Sequence, residues 1–190
     1  MIYLASSSTR RADLLRQIGI DFQVLRVNVD ESKTAAESAE RYVSRMSETK
    51  AQAGRDMVSV DAPVLAADTI ITIDGNIVGK PDDSFCCQQI LAKLSGREHQ
   101  VLSAVALNYE GKTRLKLSTN QVFFRALEAS EIYTYCASDE PLDKAGAYAI
   151  QGKAAIFIDH LEGSYSSVMG LPLFETAELL KQAGITVLKS

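Results

Sequence analysis

The stretch that most constrains this chain is Val64–Pro81, VLAADTIITIDGNIVGKP. Pro63 and the apolar run Val64–Ala67 lead straight into Asp68. A second run, Ile70–Ile73, meets the turn signal Asp74-Gly75-Asn76, and Ile77–Val78 return towards Lys80. The pattern predicts a buried strand followed by a β-hairpin. A carboxylate inside an apolar strand pair is costly to desolvate, so Asp68 needs a partner, a metal or a raised pKa. A structural pairing of Asp68 with a backbone group or a nearby lysine is the alternative to a functional role.

The 190 residues suffice for one domain of ordinary size, with room for two lobes, and bury roughly 70% of the unfolded surface. A net charge of −4 argues against non-specific nucleic-acid binding, which needs a basic face. The first residues, MIYLASSSTRR, lack the order of a signal peptide, and no apolar run reaches membrane-span length. Of three cysteines, Cys86 and Cys87 are adjacent and Cys136 is remote. They offer neither a disulfide framework nor CxxC metal spacing, and are read as reduced, mostly buried thiols. A cytoplasmic protein is expected.

Ile2–Ala5 is a short strand-like run that stops at Ser6-Ser7-Ser8-Thr9. A helical stripe follows over Arg10–Ile18 and ends at Gly19. Ser8 or Thr9 is a natural N-cap. A helix start with hydroxyls and two arginines, Arg10 and Arg11, suits an anion, although arginine in a first turn opposes the helix dipole. Simple capping with solvated arginines is the alternative. Asp21–Val29 reads as a second strand ending at the acidic pair Asp30-Glu31, and Ala35–Gly54 as a long helix. Its apolar stripe, continued from Met46, lands on Lys50, which either snorkels out or meets an anion.

Further on, Asp82 or Asp83 caps a helix ended by Ser95-Gly96. Val101–Tyr109 and Thr113–Ala126 form an antiparallel pair. Glu128–Cys136 is a short helix, Ser138–Tyr148 a polar loop, Ala154–Ile158 a strand and Gly163–Gly170 a loop. Pro172 opens a final helix, closed at Gly184 before a short terminal strand. His99 and His160 stand alone and are taken as structural. With no Ser-His-Asp arrangement and no zinc site to argue for, chemistry rests on carboxylates, lysines and arginines. Carboxylates that hold Mg²⁺ beside cations that neutralise phosphate oxygens are what phosphoryl chemistry requires.

These residues also carry a resemblance. Ser6-Ser7-Ser8-Thr9-Arg10-Arg11 resembles the SxSPRR opening of the Maf-like nucleoside triphosphate pyrophosphatases. Asp30-Glu31, the Lys50 helix, Ala67-Asp68-Thr69, Gly79-Lys80-Pro81 and Ser138–Gly152 are similar to that family's other blocks, in order and spacing. Thr9 in place of proline is the one departure in the opening motif, and both residues suit a helix start. The resemblance runs from Met1 to about Leu180 and implies a single domain over 1–190. The implied fold is α/β, a mixed central sheet flanked by helices with two lobes around a cleft, like the inosine triphosphate pyrophosphatases. The implied reaction is NTP + water → NMP + pyrophosphate, with a divalent metal, Mg²⁺ or else Mn²⁺, and a homodimer.

Carried over residue by residue, the resemblance implies that Asp68 activates the attacking water and shares the metal with Glu31. Ser6, Ser8, Arg11, Lys50 and Lys80 would hold the triphosphate, and Arg10, Thr69 and Gln151 would select the base. One branch of the family resembles dTTP/UTP hydrolases. The other, resembling 7-methyl-GTP hydrolases, carries an extra Trp before the arginines, Gln after the catalytic Asp and Glu in place of Gln151. This chain has no Trp, Thr69 after Asp68, and Gln151-Gly152. Gln151 offers a neutral amide with a donor and an acceptor, suited to a uracil or thymine edge. The expected function is therefore dTTP/UTP pyrophosphatase. The alternatives are a purine or modified-nucleotide house-cleaning pyrophosphatase and a nucleotide-binding regulator of cell division. Nucleic acid and membrane are not expected partners.

Overall fold

The computed structural model describes residues 1–138 and 140–188. One mixed sheet organises the chain, in the order β2-β1-β3-β5-β6-β7, with β4 paired to β3. The strands are β1 (Ile2–Ala5), β2 (Phe22–Leu25), β3 (Val64–Ile73), β4 (Asn76–Val78), β5 (Glu98–Tyr109), β6 (Lys112–Phe124) and β7 (Ile158–Glu162). The helices are α1 (Thr9–Gln17), α2 (Ala39–Asp56), α3 (Ser84–Leu94), α4 (Ala129–Cys136), α5 (Tyr165–Met169) and α6 (Leu173–Gln182). The expected mixed sheet flanked by helices is what the chain forms. It divides into two compact units, to both of which β3, β5 and β6 contribute.

The first unit comprises Met1–Thr69, Ser103–Ser118 and the segment from Gly170 onward. Here β1 lies between β2 and β3 and is parallel to both. All four residues of β1 pair with β2, Ile2 with Phe22 through Ala5 with Leu25. That pairing sets the length of β2: beyond Leu25 its partner has ended. The strand expected over Asp21–Val29 is therefore shorter, and Asp30-Glu31 lies on the irregular segment before α2 rather than at a strand end. At the close of α6, Ile185 N–H bonds to Leu180 O at 2.9 Å and Gly184 N–H to Lys181 O at 3.0 Å. These bonds finish the helix past Gly184, and no terminal strand follows among the described residues.

The second unit, Ile70–Leu102 with Thr119–Met169, has its own core. Ile71, Leu91, Leu94, Val122, Phe124, Tyr148 and Phe157 are among its buried side chains. Asp74 and Gly75 both take positive φ (52° and 73°) in the two-residue turn that joins β3 to β4, the geometry that matches strand twist. Two segments depart from the expected pattern. Ala154–Ile158 is not a strand: Lys153–Phe157 forms a 3-10 turn in which Ala154 and Phe157 are buried three residues apart, and β7 begins only at Ile158. Within Gly163–Gly170 sits α5, whose start is fixed by Asn120 Oδ1 accepting Ser164 N–H at 2.7 Å and Ser164 Oγ accepting Ser167 N–H at 3.3 Å.

The cysteine expectation is also overturned. Cys87 on α3 and Cys136 on α4 are joined in a disulfide, 49 residues apart in sequence, with Cα atoms 5.8 Å apart. Both face the same apolar core. Cys86, the next residue along α3, points elsewhere and is a free, half-buried thiol.

Candidate active site

Val64 and Ala66 face an alanine-rich layer with Ala5, Ala51 and Ala106. Two residues on, Asp68 emerges on that same strand face. Helix α2 lies close above it because of Gly54. A Cβ there would stand 2.7 Å from Ala5 Cβ and 2.8 Å from Val64 Cγ1, so only glycine allows this approach. One turn earlier on α2, Lys50 places Nζ 2.7 Å from Asp68 Oδ1 and 2.6 Å from Glu31 Oε1. The Lys50 and Asp68 side chains are each 13% exposed, Glu31 53%. The lysine on the core stripe thus meets two anions of its own chain.

The segment carrying Glu31 is fastened to the same helix. Tyr42 Oη donates to Glu31 O at 2.8 Å, and Arg45 Nη2 to Ser32 O at 3.0 Å. Arg45 also grips both oxygens of Glu37 at 2.7 Å, which holds that carboxyl at about 2, well below its ordinary value. In the sequence Tyr42 reads only as a position on the apolar stripe of this helix, in step with Met46 and Lys50 every fourth residue, and Arg45 carries no comparable signal.

Thr69 points to the opposite face of β3, where α1 lies. Arg11, in the first turn of α1, donates through Nε to Gly170 O at 2.8 Å, through Nη1 to Ser6 Oγ at 3.1 Å and through Nη2 to Thr69 Oγ1 at 3.5 Å. Burial lowers the pKa of this guanidinium below its ordinary value, and Arg10 acts in the same direction. Asp68 and Glu31 pull it back up. These acceptors offset the unfavourable position of Arg11 in the helix dipole. Ser8 is the N-cap, its own N–H bonding to Ser6 Oγ at 3.3 Å while its side chain makes no cap bond. Thr9 occupies the first helical position, where proline is also at home. Arg10 follows, partly buried.

Ser103 belongs to no motif in the sequence. Its Oγ lies 2.8 Å from Thr69 Oγ1, and the residue is fully buried. A lone hydroxyl in the run VLSAVAL was the available signal. The first unit thus brings together Ser6, Ser8, Arg10, Arg11, Glu31, Lys50, Asp68 and Thr69. Lys80 and Gln151 belong to the second unit, each exposed: Lys80 just past β4, Gln151 on the turn Ala149–Gly152. The histidines lie there too. His99 is buried with Nε2 2.8 Å from Tyr148 Oη, and burial holds its pKa at about 4; His160 is exposed beside Glu162.

Two carboxylate oxygens that both reach one ammonium nitrogen can also reach one metal ion. They are the hard donors that Mg²⁺ takes, one or two at a time, with substrate oxygens completing the shell. Glu31 and Asp68 therefore fit a divalent cation. No cluster of three or more His, Cys, Asp or Glu suited to a metal occurs among the described residues.

A family model described as Maf-like protein matches residues 1–183. The chain belongs to the Maf family. It is similar to the dTTP/UTP pyrophosphatase of Nitrosomonas europaea, 52% identical over 98% of this chain and 96% of that protein. It is also similar to the dTTP/UTP pyrophosphatase of Chromobacterium violaceum, 47% identical over 96% and 94%. Among solved structures it is similar to a nucleoside-triphosphatase, dITP/XTP pyrophosphatase, from Mycobacterium abscessus. That match has 16% identity and a TM-score of 0.49 over 96% of this chain and 93% of that one, a likeness too loose to argue from. No helix of this Maf protein, among the described residues, is long and apolar enough to cross a membrane.

Proposed function

We propose that this chain hydrolyses dTTP and UTP to the nucleoside monophosphate and pyrophosphate. The observation that carries the reading is Lys50 held between Asp68 and Glu31, in a chain about half identical to proteins named dTTP/UTP pyrophosphatase. Water adds its oxygen to phosphorus, the bond from that phosphorus to the bridging oxygen breaks, and pyrophosphate leaves. Asp68 accepts the proton of the attacking water. Glu31 and Asp68 would hold a divalent cation, which when bound would supply charge neutralisation for the phosphate oxygens and lower the pKa of water. Mg²⁺ is the cation proposed.

Lys50, held between the two carboxylates, is the ammonium placed to meet the negative charge of the triphosphate. Arg11 is already oriented by three oxygen acceptors and costs little to reorganise. Ser6, Ser8 and Lys80 are assigned to phosphate, and Arg10, Thr69 and Gln151 to the base. We extend the reading to one domain, a homodimer and a cytoplasmic place.

A nucleotide panel with product identification tests this. dTTP and UTP are expected to turn over faster than ATP, GTP, inosine triphosphate and 7-methyl-GTP, releasing pyrophosphate. Preference for 7-methyl-GTP or inosine triphosphate overturns the substrate assignment, and release of orthophosphate overturns the reaction.

A further inference from the structure

We propose that Glu140 is the positioning residue that fixes Gln151, and through it the choice of base; this rests on the reading that Gln151 faces the base. Gln151 sits on a turn closed by Gly152 N–H bonding to Ala149 O at 3.0 Å. Immediately after it comes the 3-10 turn Lys153–Phe157, whose leading N–H groups have no partner within the turn. Glu140 supplies the acceptors. Its Oε2 takes Lys153 N–H at 3.1 Å, and its Oε1 takes Ala154 N–H at 3.4 Å.

The carboxylate is itself held from behind. Tyr135 Oη on α4 donates to Oε1 at 3.0 Å, and the Tyr135 ring packs edge-on against Phe157 at 5.2 Å between centroids. Gly152 completes the fit. A Cβ at this position would stand 2.3 Å from Glu140 Oε1, 2.5 Å from its Cδ and 2.7 Å from Oε2. The carboxylate therefore fills the space a side chain would take, directly beside Gln151. The turn is fixed on one side by the Ala149–Gly152 bond and on the other by Glu140. A polar base edge is discriminated only by groups held to within about 0.5 Å, and an amide on an unanchored turn would pair with a wrong base nearly as well.

The test compares kcat/KM for dTTP with that for ATP in the full chain. Glu140→Gln keeps the shape but points an amide donor at N–H groups. Gly152→Ala pushes the carboxylate aside while leaving it present. Both variants are expected to lower the dTTP-to-ATP ratio by at least about tenfold, chiefly through dTTP, and the double variant no further than either single. A purely structural role would instead lower both nucleotides alike, leaving the ratio unchanged, and that result overturns the proposal. Gln151→Ala separates the two readings. If it collapses the ratio and Glu140→Gln and Gly152→Ala do not, only the positioning role fails. If Gln151→Ala also leaves the ratio intact, the base assignment falls and this inference with it.

Discussion

Lys50 and Asp68 meet at 2.7 Å where β3 leaves its apolar layer, and the same ammonium lies 2.6 Å from Glu31. Two contacts bring this about. Gly54 lets α2 come close enough for Lys50 to reach Asp68, and Tyr42 ties the backbone of Glu31 to that helix. The arrangement is poised: one positive charge serves two negative ones, leaving the group a net binder of cations.

Lysine removal follows from this geometry. Lys50→Ala and Lys80→Ala are each expected to weaken dTTP turnover without greatly lowering Tm. Each variant is also expected to lose most of the rise in Tm that a non-hydrolysable triphosphate gives the unsubstituted chain. A ligand-induced rise that is intact in both variants would count against contact with phosphate.

Tyr42→Phe removes one hydroxyl and nothing else. Because that hydroxyl fixes Glu31 O, the variant should need about tenfold more Mg²⁺ for half-maximal activity. Titration of Mn²⁺ onto the protein without nucleotide should show the same weakening. An unchanged metal affinity would make the bond merely structural.

Acid stability is set first by His99. Its pKa falls from 6.5 to about 4 on folding through burial, so between those values the unfolded chain binds a proton that the folded chain does not. Stability is complete above pH 6.5 and lost as pH falls towards 4, by roughly 3 kcal/mol in all. Glu37 and Glu131, held at about 2 by Arg45 and Arg125, add to the loss only below their ordinary value of 4.5. Tm should therefore drop by several degrees between pH 7 and 5, and His99→Gln should flatten that drop. A flat profile in the unsubstituted chain would show that His99 is not held neutral.

The Cys87–Cys136 bridge predicts one free thiol in the unreduced native protein, Cys86, and three after reduction. Alkylation and mass measurement give the count directly. Closing a loop of 49 residues limits the unfolded chain by about 4 kcal/mol on the chain-entropy argument, so reduction should lower Tm. Three free thiols without reduction would contradict the bridge.

Much of this was legible in the sequence where local rules decide. The Val64–Val78 strand and hairpin follow from an apolar run and an Asp-Gly turn, and the helix starts at Ser8 and Asp83 carry the expected N-cap residues, whereas the helix expected from Ala35 begins only at Ala39, capped by Ser38. Asp68 and Lys50 each stood out as a charge on an apolar face. Failures came where tertiary contacts decide. β2 ends where β1 ends, which no residue in Asp21–Val29 announces. Lys153–Phe157 winds into a 3-10 turn because of Glu140, 13 residues before it. The disulfide joins cysteines whose separation carries no motif. Ser103 and Tyr42 act through partners 34 and 11 residues away.

The most direct test of the central claim is pyrophosphate release from dTTP by the unsubstituted chain and by Asp68→Asn, with folding and nucleotide binding measured on the same samples. The account predicts that Asp68→Asn loses at least ~10² in turnover. It should keep its fold and a measurable affinity for dTTP, since an amide is nearly isosteric with the carboxylate. Near-wild-type pyrophosphate release by Asp68→Asn would contradict it.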